Sequence, residues 1–367
     1  MSNLNLFSVG EQWDWDRFID LQMGYNYFEY VAKECFKTDY QKVNNYSDIK
    51  DLYRHEPSSD IAIRFDNCFA KPNLETMLNS NIQSIIEKTI LRGFNVLLYV
   101  PTESFTKQDL RSCSRYFRHE IREKLHYANC NPYIFDYNDY GINLHFVDYF
   151  SMWSVTGNIH WTSQVNYSKP KKDFLAMALR MAPGKRIMLD AIKQVNLYDK
   201  GYITDETGTI DNLDTSEGRY KIRSMQDEYE KHPNFMNIKP WINAISYEVV
   251  IEDTEDISPL YTSEKIYRTI FNKIPFMVYG KKGYLKLLKR LGYKTFDKIF
   301  DESYDNIDIR EERAKFIANE MKRFNNLPDK EKQKLVDDAK PIIEHNYNLL
   351  TNPEKIGLVY SKPINSQ

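Results

Sequence analysis

Glycine is scarce in this sequence: 13 of 367 residues, fewer than the 27 tyrosines or the 20 phenylalanines. That rules out collagen-like repeats and Gly-rich low-complexity arrays. Cysteine is scarcer still. The four residues, Cys35, Cys68, Cys113 and Cys130, are irregularly spaced with no Cys-x-x-Cys pair, which indicates neither a disulfide framework nor a zinc site and points to a reducing compartment. An excess of charge of one sign is also missing. Fifty Lys+Arg stand against 52 Asp+Glu, a formal charge of −2, so the surface as a whole is not built to bind a polyanion, although a local basic groove stays open. No stretch approaches the ~18 apolar residues of a membrane span. The start, Met1-Ser2-Asn3-Leu4-Asn5, lacks the basic-then-apolar pattern of a secretory leader, and the expectation is a cytoplasmic protein.

What is present describes a globular chain. Hydrophobic residues make up 42% and charged residues 28%, enough for a sizeable core, and the length suits two domains better than one. The bias to Tyr, Phe, Asn and Lys resembles that of an A/T-rich coding genome, as in a phage or a low-GC bacterium. Residues 1 to about 60 are aromatic but broken by polar clusters, and periodicity leaves their structure open. Ile61–Phe65 reads as a short strand. Apolar residues from Leu74 to Leu91 recur at helical spacing and stop at Gly93, and Asn95–Val100 is a continuous apolar run of the kind a doubly covered parallel strand needs.

A polar connection, Asn166–Lys172, separates this series from a second. In the second, Phe174–Leu179 reads as a strand, Pro183-Gly184 as a turn, Arg186–Val195 as a helix and Gly201–Thr204 as a strand. Residues 206–240 form a long polar excursion or lid. Then follow strand Ala244–Ile251, helix Glu264–Phe271, strand Pro275–Gly280 and helix Tyr284–Leu291. This alternation builds parallel sheets flanked by helices.

Ligands of such sheets bind beyond the carboxyl ends of the strands. Two loops there carry chemistry. Arg180, Lys185 and Arg186 lie between a buried strand and a helix start, where backbone N–H groups, the helix dipole and cations suit a diphosphate; three solvated cations in a turn explain the same residues. In Tyr261-Thr262-Ser263-Glu264-Lys265, Ser263 as cap and Glu264 in the first helical turn need no ligand; the functional alternative has Glu264 accepting hydrogen bonds from ribose hydroxyls and Lys265 meeting a phosphate.

Tyr261–Ile266 followed by Ile274–Gly280 resembles the Tyr-x-Thr-Glu-Lys…Pro-Val-Val-x-Gly signature of fucosyltransferase-type and exostosin-like GT-B glycosyltransferases. It is closer to a phage and bacterial glycosyltransferase-like group, whose Gly-Phe-Lys-Thr-Phe-Asp…Asp-Glu-Ser-Tyr-Asp block is matched by Gly292–Asp297 and Asp301–Asp305. The resemblance covers about residues 170–325. Ser263 replaces the usual Thr, and Tyr247-Glu248-Val249 stands where the fucosyltransferase pattern has Phe-Glu-Asn. The resemblance implies an α/β fold with two Rossmann-like domains facing across a cleft: an acceptor-binding domain at 1–165, a nucleotide-sugar domain at 166–345, and a tail, 346–367, able to return to the first domain. It further implies that Tyr261, Ser263, Glu264, Lys265 and Glu248 hold the donor while Arg180, Lys185 and Arg186 neutralise its leaving diphosphate, with no metal or other cofactor required. The DxD of Asp14-Trp15-Asp16 reads as a helix start.

The resemblance also implies that, if the reaction inverts at the anomeric carbon, a carboxylate of the first domain deprotonates the acceptor hydroxyl. Glu103, after strand Val96–Val100, is the first choice, with Asp66 and Asp136 as competitors; His119, His126, His145 and His160 read as structural. The acceptor is either a saccharide hydroxyl or a hydroxymethylated pyrimidine in DNA, since Arg111, Arg115, Arg118 and Arg122, and a second basic run over Lys281–Lys294, suit phosphates. A non-catalytic nucleotide- or sugar-binding module of the same fold is the reading from a different class.

Overall fold

The computed structural model describes residues 3–9, 27–46, 59–65, 74, 78, 80–100, 106–149, 151, 172–178, 183–204, 210–211, 245–252, 260–352 and 358–361. They form an α/β protein with two mostly parallel sheets, of seven and five strands. The chain divides into two compact units. The first comprises 1–157, 257–261 and 356–366, and the second nearly all the rest.

The first unit runs β1 (Asn3–Val9), α1 (Tyr27–Phe36), β2 (Lys42–Tyr46), β3 (Asp60–Phe65), α2 (Ser80–Leu91), β4 (Val96–Val100), α3 (Thr106–Tyr116), α4 (His119–Arg122), β5 (Leu125–Asn129) and β6 (Asn143–Val147). The open first ~60 residues thus include a strand, a helix and a strand. Their periodicity was unreadable because β2 is an edge strand with no buried residue, so its sequence need not be apolar. β3 and β4 are buried throughout; β4 is the uninterrupted apolar run such burial favours, whereas β3 also buries Asp60 and Arg64. The sheet order is β12-β6-β5-β4-β3-β1-β2, and β1 through β6 all pair in parallel. The late strand β12 (Val359–Tyr360) adds antiparallel to β6, with Val359 opposite Val147 and Tyr360 opposite Phe146, and the Tyr360 ring stacks on Phe146.

The second unit is built from β7 (Phe174–Met177), α5 (Pro183–Gln194), β8 (Gly201–Thr204), β9 (Ile210–Asp211), β10 (Tyr247–Ile251), α6 (Glu264–Phe271), β11 (Phe276–Tyr279), α7 (Tyr284–Arg290), α8 (Arg310–Asn325), α9 (Asp329–Asp338) and α10 (Lys340–Leu350). Its order is β11-β10-β7-β8-β9. All neighbours are parallel except the β8–β9 pair.

Two boundaries differ from the sequence reading. Pro183-Gly184 does not form a turn before the helix; Pro183 opens α5, because a fixed φ and a missing N–H cost nothing in a first helical turn. The strand expected from Ala244 begins at Tyr247, where pairing with Phe174 of β7 starts. Of the expected excursion at 206–240, only Ile210–Asp211 is described; the rest lies outside the described residues.

Aromatic packing consolidates the second unit. Tyr247 stacks on Phe174 and meets Phe300 and Phe324, and its hydroxyl donates to Asn325 Oδ1 at 3.1 Å. Gly201 is required by this core, since a Cβ on it would stand 2.3 Å from the Phe174 ring.

Candidate functional site

The chain passes from β7 outward to β8 and β9, then returns to the other side of β7 as β10. The β7–β10 pair is therefore the point where strand order reverses, the position at which open α/β sheets bind their ligands. Two segments leave its carboxyl edge: residues 178–182, leading into α5, and residues 252–263, leading into α6. The two loops singled out in the sequence are these two.

The α6 side is described in most detail. Ser263 has extended backbone and caps α6, its Oγ accepting from the Lys265 N–H at 3.2 Å. The same hydroxyl donates to Glu252, with Oε2 at 2.7 Å and Oε1 at 2.8 Å. Glu252 directly follows β10 and continues the ladder by donating its N–H to Tyr279 O, so the sheet itself fixes where this carboxylate stands. The Tyr284 hydroxyl, at the start of α7, donates to Glu252 Oε1 at 2.7 Å. Gly280 makes that approach possible, because a Cβ there would lie 2.9 Å from the Tyr284 ring. Lys265 Nζ lies 3.1 Å from Glu264 Oε1, 3.2 Å from Ser263 Oγ and 3.6 Å from Glu252 Oε2. Thr262 and Tyr267 are joined through their hydroxyls at 2.8 Å, bracing the turn.

Exposure sorts these groups into two sets. Glu252, Ser263 and Tyr284 are buried, whereas the side chains of Glu264 and Lys265 remain 21% and 28% exposed. Tyr261 is also half-buried. Burial pushes the Glu264 carboxyl up, but the Lys265 ammonium beside it and the helix-start N–H outweigh this and hold it below its ordinary value. Glu264 is consequently an ionised acceptor at neutral pH.

The other expected site residues are distributed as follows. Glu248 lies inside β10 at 1% exposure, where it pairs with Arg268 and accepts from Thr269 Oγ1 at 2.7 Å; both partners are on α6, so Glu248 ties the helix to the strand. Val249 is wholly buried in the same strand. Lys185 is half-buried and Arg186 exposed in the first turn of α5. Asp136 is exposed on a 3-10 segment, Ile134–Tyr140, of the first unit. Glu103, Asp66, Arg180 and Asp14–Asp16 lie outside the described residues. Among the described residues, no group of three or more His, Cys, Asp or Glu side chains is arranged to hold a metal ion.

The block that carried much of the resemblance is a brace. Asp305 accepts from the N–H groups of Leu285 and Lys286 and so caps α7. Glu302 accepts from Thr295 Oγ1 and Phe296 N–H, both at 2.7 Å, and the Tyr304 hydroxyl accepts from Val278 N–H in β11. The neighbouring basic run is compensated in part, with Lys282 on Asp308 and Lys289 on Glu302.

Sequence reasoning passed over Glu252, whose signal was a carboxylate immediately after a buried strand. It also passed over Asp109 in α3. That carboxylate accepts from the Leu74 N–H and the Tyr127 hydroxyl, and burial raises its pKa to about 6. His126, half-buried, and His145, buried, form a pair, Nδ1 to Nε2 at 2.9 Å, and the second nitrogen of His145 meets Ser361 Oγ beside β12. Burial lowers both pKa values. Both histidines thus have hydrogen-bond partners within the first unit.

The chain matches no protein-family model and no curated protein. The likeness to glycosyltransferases accordingly stands on its own residues.

Proposed function

We propose that the protein is a GT-B-type glycosyltransferase that moves a sugar from a nucleotide-sugar donor to an acceptor hydroxyl, with the second unit binding the donor. The observation that carries this reading is that the helices following the two strands paired at the switch point, β7 and β10, carry Lys185 and Arg186 in the first turn of α5 and Glu264 and Lys265 in the first turn of α6. Glu264, ionised and partly exposed, suits two ribose hydroxyls, with Tyr261 beside the nucleoside. Lys265, Arg180, Lys185 and Arg186 suit the diphosphate. Ser263 and Glu248 hold the loop and α6 in place without touching the donor.

In the reaction the glycosidic carbon–oxygen bond breaks, the diphosphate leaves with the electron pair, and the acceptor oxygen forms the new bond as its proton passes to a base. Cations on the diphosphate stabilise the charge that grows as the bond breaks. Glu103 is the first candidate base, ahead of Asp66 and Asp136. Arg111, Arg115 and Arg118 stand exposed on the first unit, and they favour a DNA acceptor as the second reading, in which a hydroxymethylated pyrimidine leaves the stack to react.

The test is a thermal-shift screen with uridine, guanosine, cytidine and adenosine diphosphates and their sugars. A ligand that binds only the folded state raises the midpoint by mass action, and one nucleotide class is expected to do so, with a larger shift in the native protein than in Lys265→Ala. A flat response to all of them removes the proposal. DNA binding that falls steeply with salt selects the second acceptor.

A further inference from the structure

We propose that Glu252 is a positioning residue for Lys265, acting on donor binding without touching the donor. This rests on the glycosyltransferase reading. A carboxylate at 4% exposure is costly to ionise unless it is hydrogen-bonded and paired, and Glu252 has both kinds of support. The Ser263 and Tyr284 hydroxyls donate to it at 2.7 to 2.8 Å, and Lys265 is the cation paired with it at 3.6 Å. Each of these partners comes from a different place in the fold: the α6 cap, the start of α7 and the first turn of α6. The carboxylate thus joins the end of β10 to both helix starts.

The consequence falls on Lys265, whose flexible four-carbon stem would otherwise let the ammonium sample many positions. Glu252 draws it inward, Glu264 draws it toward the surface, and the Ser263 hydroxyl lies between, in contact with both Glu252 and Lys265. The ammonium is therefore held at one place at the switch point before any ligand arrives. Such preorganisation lowers the ordering cost of binding. A carboxylate that merely filled the core would not need a cation reaching it from a partly exposed site.

The experiment is a double-mutant cycle on nucleoside diphosphate affinity, measured by titration calorimetry with whichever diphosphate the native protein binds. Glu252→Gln, which keeps the shape and removes the charge, is expected to weaken binding by about tenfold, by analogy with the lower end of the loss when a group orienting a metal ligand is removed. In the Lys265→Ala background the same substitution is expected to change affinity by less than about twofold, because Glu252 acts through a side chain no longer present. Glu252→Asp, which retains the charge, is expected to recover part of the loss. Should Glu252→Gln fail to fold, Ser263→Ala removes the hydroxyl joining Glu252 to Lys265 and is expected to show the same non-additivity.

Native-like or tighter binding by Glu252→Gln, or an undiminished effect without Lys265, overturns the proposal and leaves the glycosyltransferase reading intact. Absence of diphosphate binding by the native protein overturns the functional reading itself, and the positioning role falls with it.

Discussion

Arg268 and Glu248 face each other at 4% and 1% exposure, deep enough that neither charge is hydrated. Removing one member of such a pair leaves the other uncompensated, at a typical cost of ~3–5 kcal/mol, whereas replacing both by apolar residues is often tolerated. Arg268→Ala is therefore expected to lower urea stability by about that amount, and Glu248→Leu combined with Arg268→Met to recover most of it. A single variant as stable as the native protein would show that the pair does not hold α6 on β10. Asp109 gives a second test with a definite sign. Burial raises it to about 6 from an ordinary 3.8, so between these values the folded protein keeps a proton that the unfolded chain has lost. Its contribution is present at low pH and is lost as pH rises through about 6. Relative to the native protein, Asp109→Asn should gain ~3 kcal/mol on moving from pH 4 to pH 7, measured by urea unfolding at both values. Neither site was legible by residue type alone. Asp109 stands in a polar helix and drew no reading, Glu248 was read as a donor-binding residue, and only depth shows the one to be a buried carboxyl and the other half of a buried ion pair.

At the level of elements, α6 and α7 were readable to within a residue, because their apolar faces, the Ser263 cap and Gly283 lie in local sequence. What joins them was not readable. Gly280 reads in the sequence as the last residue of a strand, yet it leaves the space in which the Tyr284 ring passes on its way to Glu252. Gly280→Ala is expected to displace Tyr284, cost ~1–3 kcal/mol as an overpacked core does, and weaken diphosphate binding with it; melting and calorimetry check the two effects. Unchanged melting would mean the ring accommodates the methyl group. The tail was expected to be able to return to the first domain, but the strand β12 and its pairing with β6 were not readable. The two residues of β12 cover the outer side of β6 and bring Ser361 to His145. Deleting residues 353–367 uncovers that edge, which is a template for intermolecular pairing. A lower melting midpoint and earlier light scattering on heating are expected, and an unaltered scattering onset would show that the β6 edge is already harmless.

Across the whole molecule, the two sheets were implied by the alternation of apolar runs with helical periodicity, which follows from burying both faces of parallel strands under helices. The histidine pair gives the molecule a global response to acid. Both imidazoles have lowered pKa values, so the native state keeps them neutral while the unfolded chain takes up protons below its ordinary 6.5. Their contribution is present above that pH and is lost as pH falls toward the native values. Between pH 6.5 and 5 the native protein should lose more stability than a variant carrying His126→Gln and His145→Gln, as read from urea midpoints; equal losses would place the proton uptake elsewhere. Asp109 opposes this trend, and the measured slope is the balance of the two.

Local sequence alone determined the parallel α/β class, the starts of α6 and α7 and the two segments that leave the carboxyl edge of the β7–β10 pair, because hydrophobic period and helix caps act over a few neighbouring residues. Only the tertiary structure decided that Glu252 meets Ser263 and Tyr284 while Glu248 pairs with Arg268, that the Asp301–Asp305 block is a brace, and that β12 pairs with β6. Those outcomes depend on contacts between residues far apart in the chain. Burial and partnership at that distance are set by strand order and packing, which no short window of sequence records.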